Sequence, residues 1–392
     1  MNQAVQHRFS RRSLLTGAAA TGVAVAASSR RFPAHAGTRA ANSATPTSPT
    51  TLDGTLRIGV ESGLAGIALY AERNGEAIVD ASAGLADREQ QTTVTTSDRF
   101  RIASITKTFT AVRILQIVDA GVVSLDDTVT QWLDDPAVAR IPYIDAITIR
   151  QLLNHTSGIY DYFDGNSPFW QDAYFGPDAD WSRVWTPSEL LAYAAGDRHA
   201  PYFAPGEGAH YTNTGYILLG LIAEAGDGRP FVAQLRDEVL DPLGLADTFL
   251  DASEPVPGDY VTPYHLIDGE IIDVSTINLS AVWTAGAMVS TTRDLARFLD
   301  ALLGGELLQP ATLAAMTAFA PPSFKGAEAG LGLLRLEGPS GILIGHSGDG
   351  PGSAGRLYRM TDTGITVVLL SNTGGVESAV DTVFSSVQEL LG

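Results

Sequence analysis

The 392-residue sequence contains only two lysines, Lys107 and Lys325, against 23 arginines. A chain that builds its cations almost wholly from arginine keeps a lysine where guanidinium will not serve. Burial or positive neighbours depress an ammonium pKa far enough to make it a base, which guanidinium never becomes. Lys107 lies three residues after Ser104, at the start of a stretch beginning near Ile105 in which Phe109, Val112, Leu115 and Val118 recur at helical spacing. Residues three apart share one helical face, so the amine reaches the hydroxyl. Serine is a weak nucleophile at neutral pH until a neighbouring base takes its proton, and Ser-x-x-Lys supplies that base. The helix start adds unpaired N–H groups and the positive end of the helix dipole, which favour negative charge developing beside Ser104.

Two later clusters fit the same chemistry. Tyr211-Thr-Asn213 stands just before a helix predicted from Gly215 to Ala225. A phenol with an ordinary pKa near 10 acts as a base only as a phenolate held by nearby cations, which a lysine would provide. His346-Ser-Gly348 follows a β-prone run from Gly341 to Ile344, and Gly348 leaves the backbone open to close approach by a substrate.

In this order, Ser-x-x-Lys, Tyr-x-Asn and His-x-Gly resemble the three motifs of the serine-reactive penicillin-recognising enzymes: D,D-peptidases, class C β-lactamases and related esterases. Residues 98–104, 152–158 and 285–290 resemble further blocks of that family, and the likeness runs from about residue 54 to 392. Its nearest form is to exported D-alanyl-D-alanine carboxypeptidases, Tyr160-Asp-Tyr162 included. The resemblance implies an acyl-enzyme on Ser104, with Lys107 and Tyr211 handling protons and Asn213 holding Lys107 and the substrate amide. It implies an oxyanion hole from the N–H groups of Ser104 and Asp349, with His346, Ser347 and Gly348 shaping the cleft, and no metal or cofactor. His155 is expected to hold loop structure.

One position departs from the pattern. Those carboxypeptidases carry a hydroxyl residue after His-x-Gly that helps hold the substrate's terminal carboxylate, whereas this chain has Asp349. Like charges disfavour each other, and Arg335 and Arg356 are the candidates to offset the repulsion. Small peptides, D-amino acid amides, esters and β-lactams all stay open as substrates. A non-catalytic binder of peptidoglycan or penicillin remains the alternative of a different class, although no catalytic residue is missing.

These groups need a scaffold. Apolar runs flank Asn74-Gly75 near the start, a two-residue hairpin signal. Short β-prone runs at Gly341–Ile344, Arg356–Met360 and Ile365–Leu370 precede a closing helix from about Gly375 to Leu391. Between them the pattern turns helical, with Thr186-Pro-Ser-Glu189 as a capping box. The expected fold is α/β (α+β): one antiparallel sheet built from both chain ends and flanked by helices, with a mostly helical insertion. The α/β part is read at about 51–118 and 305–392, the helical part at about 119–304. Residues 166–185, rich in Phe, Trp and Tyr, either line a cleft or staple a long loop.

The first 36 residues carry five Arg and no acid, with Arg11-Arg12 ahead of an apolar run from Leu14 to Ala27 and Ala34-His-Ala36 at the end. This looks like a twin-arginine export signal, and the run is shorter than the roughly 20 residues that span a bilayer. Residues 37–50 read as a linker, and the mature enzyme is expected to begin near Gly37 outside the cytoplasm, without a stable membrane anchor. A net charge of -19 disfavours nucleic acid and anionic lipid partners. The absence of cysteine removes disulfides and thiol chemistry. No serine is flanked as Gly-x-Ser-x-Gly, and the seven histidines show no metal-ligand spacing, which sets aside the α/β-hydrolase and metallohydrolase classes.

Overall fold

The computed structural model of the protein describes residues 51–258, 260–324 and 326–392. The signal and linker read at 1–36 and 37–50 lie outside the described residues. Strand β1 (Gly66–Arg73) turns through Asn74 (φ 54°) and Gly75 (φ 78°) into β2 (Glu76–Asp87). Two successive left-handed residues make the turn whose twist matches the strands, and Asn-Gly adopts it at low cost. A short β3 (Thr92–Thr93) edges this end of the sheet.

The remaining strands come from the far end of the chain: β4 (Ala320–Phe324), β5 (Ala327–Ala329), β6 (Leu334–Gly338), β7 (Gly341–Gly350), β8 (Ser353–Met360) and β9 (Ile365–Ser371). Their order is β3-β2-β1-β9-β8-β7-β6-β5-β4, antiparallel throughout, so the two chain ends join where Leu69 faces Leu369.

Both faces are covered, which is why β1 is buried along nearly its whole length instead of alternating apolar and polar. Ile67, Leu69, Val367 and Leu369 pack under two terminal helices, α1 (Leu52–Glu61) and α5 (Glu377–Leu391). Ala68, Val368 and Leu370 face the other way, into a core shared with α2 (Thr106–Asp119), α3 (Asn213–Asp227) and α4 (Thr292–Leu303). Helix α2 is buried from Thr106 to Leu115, with Phe109 stacked on Phe298 at 3.6 Å and Arg113 bonded to Asp227 at 2.6 Å. A helix enclosed on all sides is where a lysine side chain is stripped of water.

The middle of the chain is less helical than its pattern suggested. Apart from α3 and α4, its described helices run five residues or fewer, among them Pro187–Leu191 with the expected capping box. Two small sheets form there: Phe100–Arg101 with Met288–Ser290 and Phe249–Leu250, and Tyr264–Ile267 with Glu270–Asp273 and Thr373–Gly374. Strands of two to four residues hold too few repeats to show a period. Phe169, Trp170, Tyr174 and Trp185 are all buried and pack ring against ring, so the aromatic segment staples its loop; Trp170 also lines the cleft. Among the described residues no helix is long and apolar enough to cross a membrane, and no group of three potential ligands could hold a metal ion.

Candidate active site

Ser104 sits in a single 3₁₀ turn, Ala103–Ile105, that runs straight into α2. It is only half-buried, whereas its neighbours from Arg101 to Thr110 are buried. Ala103 holds φ at 44°, a conformation costly for a residue with a Cβ, and this bend presents the serine at the mouth of the helix. Strand β7 comes in beside it. A Cβ on Gly348 would stand 2.1 Å from the Ile102 carbonyl and 3.1 Å from the Ile105 nitrogen, so only glycine lets the strand lie this close.

Lys107 is fully buried, and its Nζ contacts Ser104 Oγ at 3.0 Å, Asn213 Oδ1 at 2.7 Å and the Ala285 carbonyl at 2.7 Å. Two of these partners only accept hydrogen bonds; the serine hydroxyl can accept or donate. The ammonium therefore donates three bonds, while the neutral amine donates two and turns its lone pair to the serine proton. Both states are satisfied, as proton transfer requires. Burial depresses the pKa to about 7, against the opposing pull of Asp161, so neutral amine is abundant at neutral pH.

Asp161 was not picked out as a site residue from the sequence. It is buried, and its carboxylate accepts from the Asn213 backbone N–H and from Asn213 Nδ2, both at 3.0 Å. Holding Nδ2 fixes the flip of the amide and presents Oδ1 to Lys107. Burial raises the pKa of Asp161, while these donors and Lys107 oppose the rise. Only its place in Tyr160-Asp-Tyr162 hinted at a role.

Tyr211 stands over the lysine, with Nζ 4.7 Å from the ring centre. Burial raises its pKa well above the ordinary value, and the hydrogen bond with Ser104 only partly offsets this. Burial thus favours the phenol at Tyr211 over the phenolate considered from the sequence. Such a phenol can relay a proton between Ser104 and a departing group. His155, held at φ 61°, accepts from the Thr212 N–H at 3.3 Å and packs its ring 4.4 Å from that of Tyr211. It braces the tyrosine, in keeping with a loop-holding role.

The third motif divides between two faces of β7, which continues through His346-Ser-Gly348 to Gly350 instead of ending at Ile344. His346 lies on the cleft side, 6.2 Å from Tyr211 ring to ring, with Nδ1 2.5 Å from its neighbour's carbonyl oxygen, that of Ser347. Burial, helped by Lys107, pushes its pKa down to about 3, so it is neutral.

Side chains alternate along a strand, and Ser347 and Asp349 belong to the opposite set. Ser347 turns toward Tyr358, in the core under the terminal helices. Asp349 accepts from Arg356 Nη1 at 2.8 Å, and Arg356 also meets Asp381 of α5 at 2.7 Å. Of the two arginines expected to offset the charge of Asp349, Arg356 is the one that pairs with it, and Asp349 lines the cavity. Arg335 pairs with Glu328 instead.

The cavity at Ser104 has an apolar wall of Phe163, Trp170, Leu279 and Val282, facing Asp349, Gly350 and His265. Among the described residues Arg101 is the only lysine or arginine lining it, and its terminal nitrogens are engaged by the carbonyls of Val274, Ser275 and Ile277 and by Tyr260. The Beta-lactamase family model matches residues 50–386. The chain belongs to that family. Its fold and relatives make it a serine hydrolase of the β-lactamase type. A D-stereospecific amidohydrolase from Streptomyces sp. superposes with TM-score 0.74 at 33% identity, covering 85% of this chain and 96% of that one. D-amino acid amidase from Ochrobactrum anthropi SV3 gives 0.74 at 30% identity, with 86% and 98% covered. A penicillin-binding protein of Bacillus subtilis is 28% identical over 320 residues, 78% of this family member and 67% of the relative.

Proposed function

We propose that the protein hydrolyses amides and esters of D-amino acids through an acyl-enzyme on Ser104, in preference to peptides whose leaving group ends in a carboxylate. Neutral Lys107 takes the serine proton as Ser104 attacks the carbonyl, the N–H groups of Ser104 and Asp349 stabilise the oxyanion, and Tyr211 passes a proton to the leaving group. Water then repeats the sequence to release the acid.

The observation that carries the preference is the lack of a spare cation among the described residues of the cavity. Arg101 is committed to carbonyls, Arg356 is shared by Asp349 and Asp381, and His346, beside Tyr211 where the leaving group must depart, is neutral. A leaving carboxylate would enter a site where no described cation is free to pair it. The apolar wall suits the side chain of an amino acid such as phenylalanine. Neighbours named as a D-stereospecific amidohydrolase and a D-amino acid amidase support the reading.

The D-alanyl-D-alanine carboxypeptidase reading rests on the match to a penicillin-binding protein over 78% of the chain. A panel of D-phenylalanine amide, its L-enantiomer, a D-Ala-D-Ala peptide and a β-lactam, with intact mass to find the adduct on Ser104, separates the two. Turnover of the D-amide above the D,D-peptide is expected; the reverse order overturns the proposal.

A further inference from the structure

His265 lines the same cavity as Ser104, on the strand Tyr264–Ile267. It is 3% exposed, and neither ring nitrogen has a hydrogen-bond partner among the described residues. A buried polar group left unpaired is costly, and native proteins rarely keep one without use. The ring is also held in place. A Cβ on Gly374 would meet His265 Nδ1 at 2.5 Å and the Gly350 carbonyl at 2.2 Å, and one on Gly375 would meet Nε2 at 3.2 Å. Two glycines thus let strand and loop close around the imidazole while it keeps its place on the cavity wall.

The position along β7 indicates which half of a substrate this ring meets. His346 packs by Tyr211, which marks the departing side. Gly350, whose carbonyl adjoins the same glycine as His265, lies four residues further on, roughly 13 Å along the strand. His265 therefore stands at the end that holds the acyl group. The same end is acidic: Asp349 shares its single arginine with Asp381, and Glu377 lies close enough for Asp349 to act on it electrostatically. Burial alone pushes His265 down to about 4, so at neutral pH the ring offers a lone pair and one N–H without charge.

We propose that His265 is a specificity-determining residue that accepts a hydrogen bond from the amino group of the acyl donor, in the field of Asp349, while the donor's side chain lies against Phe163 and Trp170. The inference rests on the proposed action on D-amino acid derivatives and assigns the group that is recognised. A free amine then gains binding that the corresponding deaminated acyl group lacks.

Two methyl esters with one leaving group test this: D-phenylalanine methyl ester and methyl 3-phenylpropionate, which differ only in the amine. Wild type is expected to favour the amino ester in kcat/KM. In His265→Phe that preference falls by at least about tenfold, the worth of a hydrogen bond to a charged group, and His265→Gln, which keeps an acceptor, retains most of it. A His265→Phe protein that melts like wild type and keeps the full preference overturns the inference and leaves the proposed function standing. A wild type indifferent to the amine overturns both. Should the Phe variant not fold, imidazole ¹⁵N shifts of wild type decide: the His265 resonance moves on addition of D-phenylalanine, and a resonance that stays put refutes the contact.

Discussion

The buried carboxylate of Asp161 reaches the amine of Lys107, the proposed base, through one amide, and removing its charge should be visible in a pH profile. Lys107 donates to Asn213 Oδ1 at 2.7 Å, and Asn213 Nδ2 donates to Asp161 at 3.0 Å, which puts the two charges roughly 7 Å apart across the amide. At an effective dielectric near 20 their attraction is about 2 kcal/mol, or between one and two pKa units on Lys107. Attraction favours the ammonium, so Asp161 holds the lysine pKa up, against the larger effect of burial. The base works as neutral amine, and activity in wild type should rise with pH through about 7.

Asp161→Asn keeps the shape and removes the charge. The rising limb of kcat/KM on a simple ester should then move toward acid by one to two units. The ester must carry no ionisable group, so that the limb reports the enzyme, and the melting temperature should be read alongside. A limb that stays near 7 would mean that the two charges do not communicate through Asn213. A limb displaced toward alkali would refute the assignment of Lys107 as the base.

Other outcomes follow from the same geometry. Lys107→Met should cut acylation of Ser104 by two to four orders of magnitude, read by adduct mass against time, because no other described group at the site replaces the amine. Gly348→Ala places a Cβ 2.1 Å from the Ile102 carbonyl and should force β7 away from Ser104, with at least about a hundredfold loss of kcat/KM. Asp349→Thr should lower the melting temperature by leaving the buried Arg356 with one carboxylate instead of two, while hardly shifting the ratio of D,D-peptide to ester turnover. Secreted material should have an intact mass that starts near Gly37; retention of Arg11 and Arg12 would contradict the export reading.

The chemistry was more legible than the frame around it. Ser104 and Lys107 announce themselves by residue type and spacing in a chain nearly without lysine, and Asn74-Gly75 encodes its own turn because two positive φ angles are a local demand. The extent of β7 was hidden because Gly345, Gly348 and Gly350 lower its strand propensity; pairing with β8, where His346 faces Leu357, enforces the extended form instead. Asp161 gave no signal of its own, since its role depends on an asparagine 52 residues away in sequence. Ala285 contributes only a carbonyl, and any residue carries one. The direction of Asp349 turned on strand alternation beyond Ile344, where the sequence reading had ended the strand.

The pairing of β1 with β9 also sets an order of events in time. Ile67 waits for Ser371, some 300 residues later, before its strand has both neighbours, and Ser104 cannot meet Gly348 until most of the chain has left the ribosome. During that interval the apolar faces of β1 and α2 have no final cover, and such delayed long-range closure slows folding and exposes sticky surface. The proposed nucleophile is meanwhile unarmed, because the turn at Ala103–Ile105 and the glycine strand that lies against it come from opposite ends of the translation schedule. Hydrolytic competence thus arrives in one late step, when the newest strands dock on the oldest.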